Sequence, residues 1–223
     1  MFKLPGQHTL RDYRNAIKPT AGFNFGIVEE LKKQTSKYLD NQKFVVISFD
    51  EMKIKEDLVF DKYTGELVGF TDLGNSDLNE ACFENADTIA THILAFHLRG
   101  ISSTLKFCLA YFPTVCVKGF QIMPIFWEAV SILELSCILK VVAAVSDGAS
   151  SNRTFFQMHE EMDLIEDSKT IEGLEHCSIE GKEVVYRTIN IFASDKRYIW
   201  FFADAPHLMK TIRNYVYVSG TKI

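Results

Sequence analysis

The sequence predicts an α/β fold, a sheet of buried strands flanked by helices. Three observations carry that expectation. Apolar runs of strand length, "FVVISF", "VVAAV" and "YIWFFA", read as strands buried on both faces because polar residues do not alternate along them. They run into Asp50, Asp147 and Asp204, and the last two pass directly into helical patterns. Finally, 47% hydrophobic residues, with 18 Phe, let 223 residues build a substantial core.

The elements follow in order. Residues 1–42 read as a polar lead-in with a helix near 24–39, whose apolar positions are Phe25, Ile27, Val28, Leu31 and Leu39. Residues 44–50 form the first buried strand. Strands at 57–61 and 66–72 flank a turn at Lys62–Gly65, where glycine accepts a positive φ. A loop rich in Asn, Asp and Gly spans 74–87. "TIATHILAFHLRGI" and "LKFCLAYFPT" are strand-like. "KGFQIMPIFWEAVSILELSC" has helical period and length, with Pro124 near its first turn. Val141–Val145 form a strand, Asp147–Asn152 a turn with N-cap residues, and a helix runs on through about Met162. "EVVYRTINIF" is a further strand. In "YIWFFADAPHLMKTIRNYV" a strand meets Asp204, and Pro206 opens a helix.

Composition narrows the function. No apolar run has the length of a membrane span. "MFKLPGQHTLRDYRN" lacks a signal-peptide core, which points to an intracellular protein. Five scattered cysteines without a C-x-x-C pair favour reduced, buried thiols at Cys108, Cys116 and Cys137. The net charge is −5, and residues 160–181 carry eight acids against one Lys, so any nucleic-acid contact needs a local basic patch. Neither a Walker-type glycine loop nor G-x-G-x-x-G occurs, which weakens a nucleotide-binding module as the reading.

Carboxylates at the tips of buried parallel strands sit where ligands collect in open α/β sheets. Brought close, they raise one another's pKa unless a cation neutralises them. Hard oxygen donors suit Mg²⁺ or Mn²⁺ with water completing the shell. A pair of such ions serves phosphoryl transfer.

The segments "LPGQHTLRDY", "FDEMKIKEDLVFDKYTGELVGFTDLG", "AYFPT", "FWEAV", "VSDGASSNRTFFQMH" and "FADAPHLMKTIRN" cover nearly the whole chain in order. Together they resemble the P-element-type transposases, which include the THAP-domain transposase relatives of animals. The resemblance implies an RNase H-like mixed sheet flanked by helices, incomplete at the C-terminus. It implies a DDE/D acidic triad with Mg²⁺ or Mn²⁺, in which Asp50 is the first acid and Asp147 the second, both catalytic and metal-binding. In the family the third acid lies on a helix beyond a GTP-binding insertion domain. The division expected is thus a lead-in at 1–42, a partial RNase H-like core at 43–204, and a helix at 205–223 leading toward that domain. A THAP zinc-finger pattern does not occur in the sequence. For the intact family the resemblance implies DNA transposon ends as partner, homo-oligomers, GTP and a nuclear location. With two acids of three, the chain is expected to be inactive alone. The alternative is a truncated or domesticated remnant serving as an interaction or weak DNA-binding module.

Each residue also has a plainer reading. Asp50 could simply end a strand, and Asp147 belongs to an Asp-Gly turn before a helix N-terminus that could itself hold a phosphate. Glu51 points to the opposite face by period two. Asp204 and His207 are candidates for a supporting or insertion-domain role, with helix capping and structural use as the alternatives. Lys53, Lys55 and Arg153 are candidate DNA contacts or solvated cations, and Asn152 is a candidate cap. His92, His97, His159 and His176 share no ligand spacing, and Phe126 and Trp127 read as core.

Overall fold

Burial alternates along the first long strand, and this alternation organises the architecture. The computed structural model describes residues 20–62, 65–83, 87–159, 178–179, 182–183 and 187–220. Strand β1 (Gly22–Phe23) leads into helix α1 (Phe25–Thr35), capped by Asn24, whose Oδ1 accepts from Gly26 N at 2.8 Å. A 3₁₀ turn at Asp40–Gln42 precedes β2 (Phe44–Lys53). Short strands β3 (Val59–Asp61) and β4 (Glu66–Val68) form a separate hairpin, closed by Gly65 N donating to Asp61 O at 2.7 Å. Then come α2 (Ser76–Cys82), β5 (His92–Gly100), β6 (Lys106–Thr114) and α3 (Gly119–Ser131), which passes into a π turn at Ile132–Ser136. Strand β7 (Lys140–Ser146) and α4 (Ser150–Gln157) follow. The tiny β8 (Ser178–Ile179) and β9 (Lys182–Glu183) pair with each other. The chain continues through β10 (Arg187–Ile189), β11 (Tyr198–Ala203) and α5 (Ala205–Gly220). Among the described residues no helix is long and apolar enough to cross a membrane.

One seven-stranded mixed sheet runs β1-β6-β5-β2-β7-β11-β10. β2, β7 and β11 are mutually parallel neighbours, and the remaining pairs are antiparallel. On one face Val45, Ile47 and Phe49 of β2 are at most 1% exposed. The Phe49 ring centroid lies 5.5 Å from those of Phe96 and Phe155 and 6.2 Å from that of Phe126. Phe126 of α3 and Phe155 and Phe156 of α4 also meet Phe201 of β11. Burying each such ring contributes about 1.5–3 kcal/mol. Gly119 lets α3 approach α4, since a Cβ there would stand 2.8 Å from Phe155 N. His159 closes this cluster. Its Nδ1 donates to Phe155 O at 2.8 Å, and burial lowers its pKa to about 4.

Several expectations need correction. The strands are not buried on both faces: His97, Arg99, Cys108, Trp200 and Phe202 are exposed on the side opposite the helices. Apolar runs do not reveal this, because Val46, Trp200 and Phe202 stand on the open side as well. β2 continues three residues past Asp50, and the sheet begins before residue 43 with β1. The loop at 74–87 contains α2; its only apolar signal is one short turn, Leu78 and Cys82, which pack against the core, and Asn75 caps it, accepting from Asp77 N at 2.8 Å. Pro124 is the sixth residue of α3, one turn deeper than its expected place near the first. Cys108 and Cys116 are exposed, and only Cys137 of the three is buried. Residues 1–19, Tyr63, Thr64, Met162, most of 160–181 and His176 lie outside the described residues.

The sheet's far edge is fastened by an ion pair that nothing in the pattern announced. Glu134 on the π turn accepts from Arg197 Nη2 at 2.8 and 2.7 Å, from Asn190 Nδ2 at 2.7 Å and from Val141 N at 2.7 Å. Its side chain is 6% exposed and that of Arg197 10%. Replacing Glu134 by Leu leaves the Arg197 guanidinium only its exposed partner Asp195, at 2.6 Å, a loss of up to about 3–5 kcal/mol, or on the order of 10 °C in Tm. Thermal melts should show that fall, and a smaller one for Glu134→Leu combined with Arg197→Met. An unchanged Tm for Glu134→Leu would mean that the pair does not fasten this edge.

Candidate active site

Two registers meet on β7. On one side Ser48 of β2 lies opposite Val145; on the other, Ala203 of β11 lies opposite Ser146. Continuing the first ladder two residues brings Asp50 beside Asp147. Continuing the second by one brings Asp204 beside Asp147, and Asp204 N donates to Ser146 O at 2.8 Å. Neighbouring strands lie about 4.8 Å apart, so three aspartates form a row across three parallel strand ends. An irregularity makes this alignment possible. Val45 pairs with Val141 but Val46 with Ala143, so Val142 is an extra residue on β7.

Asp50 and Asp147 stand between two clefts. The larger, about 220 Å³, is lined by Ser48, Asp50, His97, Asp147, Asp204 and His207. The other, about 160 Å³, includes Asp50, Glu51, His92, Asp147, Ser151 and Asn152.

Each acid is held differently. Asp50 Oδ1 accepts from Glu51 N at 2.8 Å. Burial pushes its carboxyl above the usual range; the Asp147 and Asp204 charges add to this, against the Glu51 N–H and His207. Asp147 Oδ1 accepts from Asn152 Nδ2 at 2.6 Å and from Ala149 N at 3.0 Å. For both acids Oδ2 accepts no hydrogen bond among the described residues. The Asp204 carboxylate likewise has no partner there. Its carbonyl, not its side chain, closes the first turn of α5, accepting from Leu208 N at 3.0 Å. This is a donor set of hard, partly free carboxylate oxygens, suited to Mg²⁺ or Mn²⁺ with water as further ligands. No three His, Cys, Asp or Glu side chains among the described residues converge as a preformed metal site.

The other candidates are spread out. Glu51 points away from the larger cleft and lines the smaller one, and its Oε1 accepts from Thr114 Oγ1 at 2.7 Å and Val117 N at 3.0 Å. Lys53 is exposed, and Lys55 pairs with Asp57 at 2.8 Å. Arg153 donates to Gly148 O at 2.7 Å and so props the Asp147 turn. Asn152 is not a helix cap; it orients Asp147. Ser48 and His97 were passed over as site residues. Their only signal is three-dimensional, the cross-strand pairing of Ser48 with His97.

A mixed α/β sheet with three parallel strands at its centre and helices packed against it has an RNase H-like architecture. Residues 19–160 match the TNP-like, RNase H N-terminal domain family, and the chain belongs to that family. Its fold is similar to that in the Drosophila P element transposase strand transfer complex, with a TM-score of 0.61 and 20% identity over 95% of this chain. The chain spans 37% of the length of that protein. No curated protein matches it. The P-element-type transposase resemblance and the RNase H-like fold are thereby borne out.

The burial of Asp50 beside two further acids has a measurable sign. A raised Asp50 pKa means that its ionised form destabilises the fold at neutral pH, whereas nothing is lost below the unfolded value near 3.9. Without metal, Asp50→Asn should therefore raise Tm at pH 7. The gain should shrink as the pH falls toward 4. A gain that is independent of pH would show that the carboxylate charge is not its source.

Proposed function

We propose that this chain is the acid-bearing part of a DNA transposase catalytic core, and that the intact protein cuts and joins phosphodiesters at the Asp50–Asp147 row with Mg²⁺ or Mn²⁺. One observation carries this reading: the parallel registers align Asp50, Asp147 and Asp204 along a single cleft edge. A bound divalent ion would neutralise the row and stabilise charge on the attacking and leaving oxygens. Asp50 and Asp147 would offer their free Oδ2 atoms. Asn152 and Ala149 N–H hold the Asp147 carboxylate in one rotamer. His207 and Asp204 supply opposite charges beside Asp50, and thus tune how readily it ionises.

Similarity to a transposase strand transfer complex supports DNA as the substrate, and on this reading the place of action is the nucleus. It also supports a role for α5 as the path toward a GTP-binding domain, and assembly of more than one subunit on DNA ends. On this reading the present chain alone does not carry out strand transfer. The runner-up is a non-enzymatic interaction or weak DNA-binding module, favoured by the lack of a preformed three-donor site among the described residues.

Mn²⁺ titration calorimetry separates the two. Asp50→Asn and Asp147→Asn should each weaken Mn²⁺ binding by at least about tenfold. Asn152→Ala, which removes no donor, should weaken it about 10-fold as an orienting partner. Circular dichroism should show all three folded. Equal Mn²⁺ binding by wild type and both Asp variants would overturn the catalytic reading in favour of the module. A plasmid-nicking assay with Mn²⁺, using Asp50→Ala as control, reports any residual cleavage.

A further inference from the structure

The open sheet face carries a second cleft of about 330 Å³, lined by Ser48, His97, Arg99, Lys106 and Cys108 together with the Leu98–Phe107 backbone region. It shares Ser48 and His97 with the acidic cleft, so the two are continuous. Arg99 and Lys106 lie directly opposite each other across the β5–β6 ladder, and His97 is two residues from Arg99 on the same side. Like charges placed opposite each other in a sheet destabilise it. Neither cation, nor His97, has a side-chain hydrogen bond or ion pair among the described residues. The surrounding sequence sharpens this contrast. No Asp or Glu occurs between Asp87 and Glu128, in a chain with 29 acidic residues.

We infer that Arg99, Lys106 and His97 form a phosphodiester-binding subsite that receives the nucleic-acid strand leading to the acidic row. The inference rests on the proposed function for the identity of the strand as DNA. Arg99 offers a planar fork matched to phosphate oxygens, and Lys106 a compact charge beside it. Arg99 lies opposite Val46 and Asp50 opposite Ala95, so four residues of strand separate the two levels. At about 3.4 Å per residue that is about 13–14 Å, a gap that a few nucleotides of backbone span. A backbone held at the cationic end thus reaches the carboxylates without leaving the sheet face. The acids exclude phosphate from their own end unless a cation is present, whereas the basic cleft needs none. The two ends therefore differ in their requirement for metal.

Fluorescence anisotropy with a labelled single-stranded oligonucleotide, in EDTA and over a series of salt concentrations, tests this on the full chain. Wild type should bind, and Arg99→Gln/Lys106→Gln should bind at least about tenfold more weakly at 50 mM salt, with the log–log salt slope reduced by about 1.4. Lys53→Gln/Lys55→Gln should change the slope less. The oligonucleotide should also protect Cys108, but not Cys116, from alkylation. The inference is overturned if wild type does not bind, if the Arg99/Lys106 variant keeps the wild-type slope, or if Cys108 stays reactive in the complex. Polyglutamate competing better than the oligonucleotide would overturn it in favour of an acidic protein partner. Because binding is read without metal, failure of Mn²⁺ binding refutes the catalytic reading alone and leaves this one standing.

Discussion

The parallel pairing of β7 with β2 and β11 is the constraint on which the rest depends. A one-residue slip in a sheet turns every side chain to the other face. Val142 is such a slip, built into the structure. Were β7 to continue the register Val45–Val141 without it, Asp50 would stand opposite Ser146, and Asp147 would belong to the buried face. The extra residue restores Asp50 and Asp147 to one level and one side. Bulges often occur beside active sites because they re-aim a side chain in this way. Here the bulge lies at the start of the strand, where Val141 is also tied by its N–H to Glu134. The ion pair at the sheet's far edge and the alignment of the acids are therefore linked through the same few residues.

Asp50 is held from both sides along its own strand. Phe49 points into the aromatic cluster and is 1% exposed; Glu51 points the same way and is tied to Thr114 and Val117. Between two anchored neighbours, the backbone at Asp50 cannot retreat from Asp147. The core thus imposes the burial that chiefly raises the Asp50 pKa, and the carboxylate proximity that adds to it. Asp147 is placed by a different device. It follows the strand and relies on Asn152, itself buried in α4, whose Phe155 and Phe156 pack beneath the sheet. Asp50 is thus positioned through its strand neighbours, and Asp147 through a direct hydrogen bond from α4.

Much of this was legible in the residues, because a continuous apolar run ending in Asp is a local signal. The strands at Asp50, Asp147 and Asp204, the helices after the last two, and the family-bearing motifs all follow from local pattern. What escaped detection was relational. Whether Val46, Trp200 and Phe202 face helices or solvent depends on where the helices pack, and period cannot show this when both faces are apolar. The Glu134–Arg197 pair joins residues 63 apart, and no spacing rule marks it. Helix α2 is hard to read because its apolar stripe is only Leu78 and Cys82, one turn long, and the rest of its support is the Asn75 cap. Ser48 and His97 became site residues only once β2 and β5 were paired.

The same face also explains why the chain's net charge misleads. A value of −5 averages an acidic segment at 160–181 with a stretch of forty residues that has no acid at all. Fields act locally: at physiological salt, charges are screened over about 8 Å. A phosphate near Arg99 and Lys106 is therefore governed first by those two cations and not by the chain's summed charge. Near Asp50 the balance reverses. One sheet face thus presents attraction at one end and conditional repulsion at the other, and only a cation at the carboxylates makes the surface continuous for a polyanion. Metal dependence would then be confined to the last steps of the strand's path, at the tips of β2, β7 and β11, while the approach along β5 and β6 stays open without it.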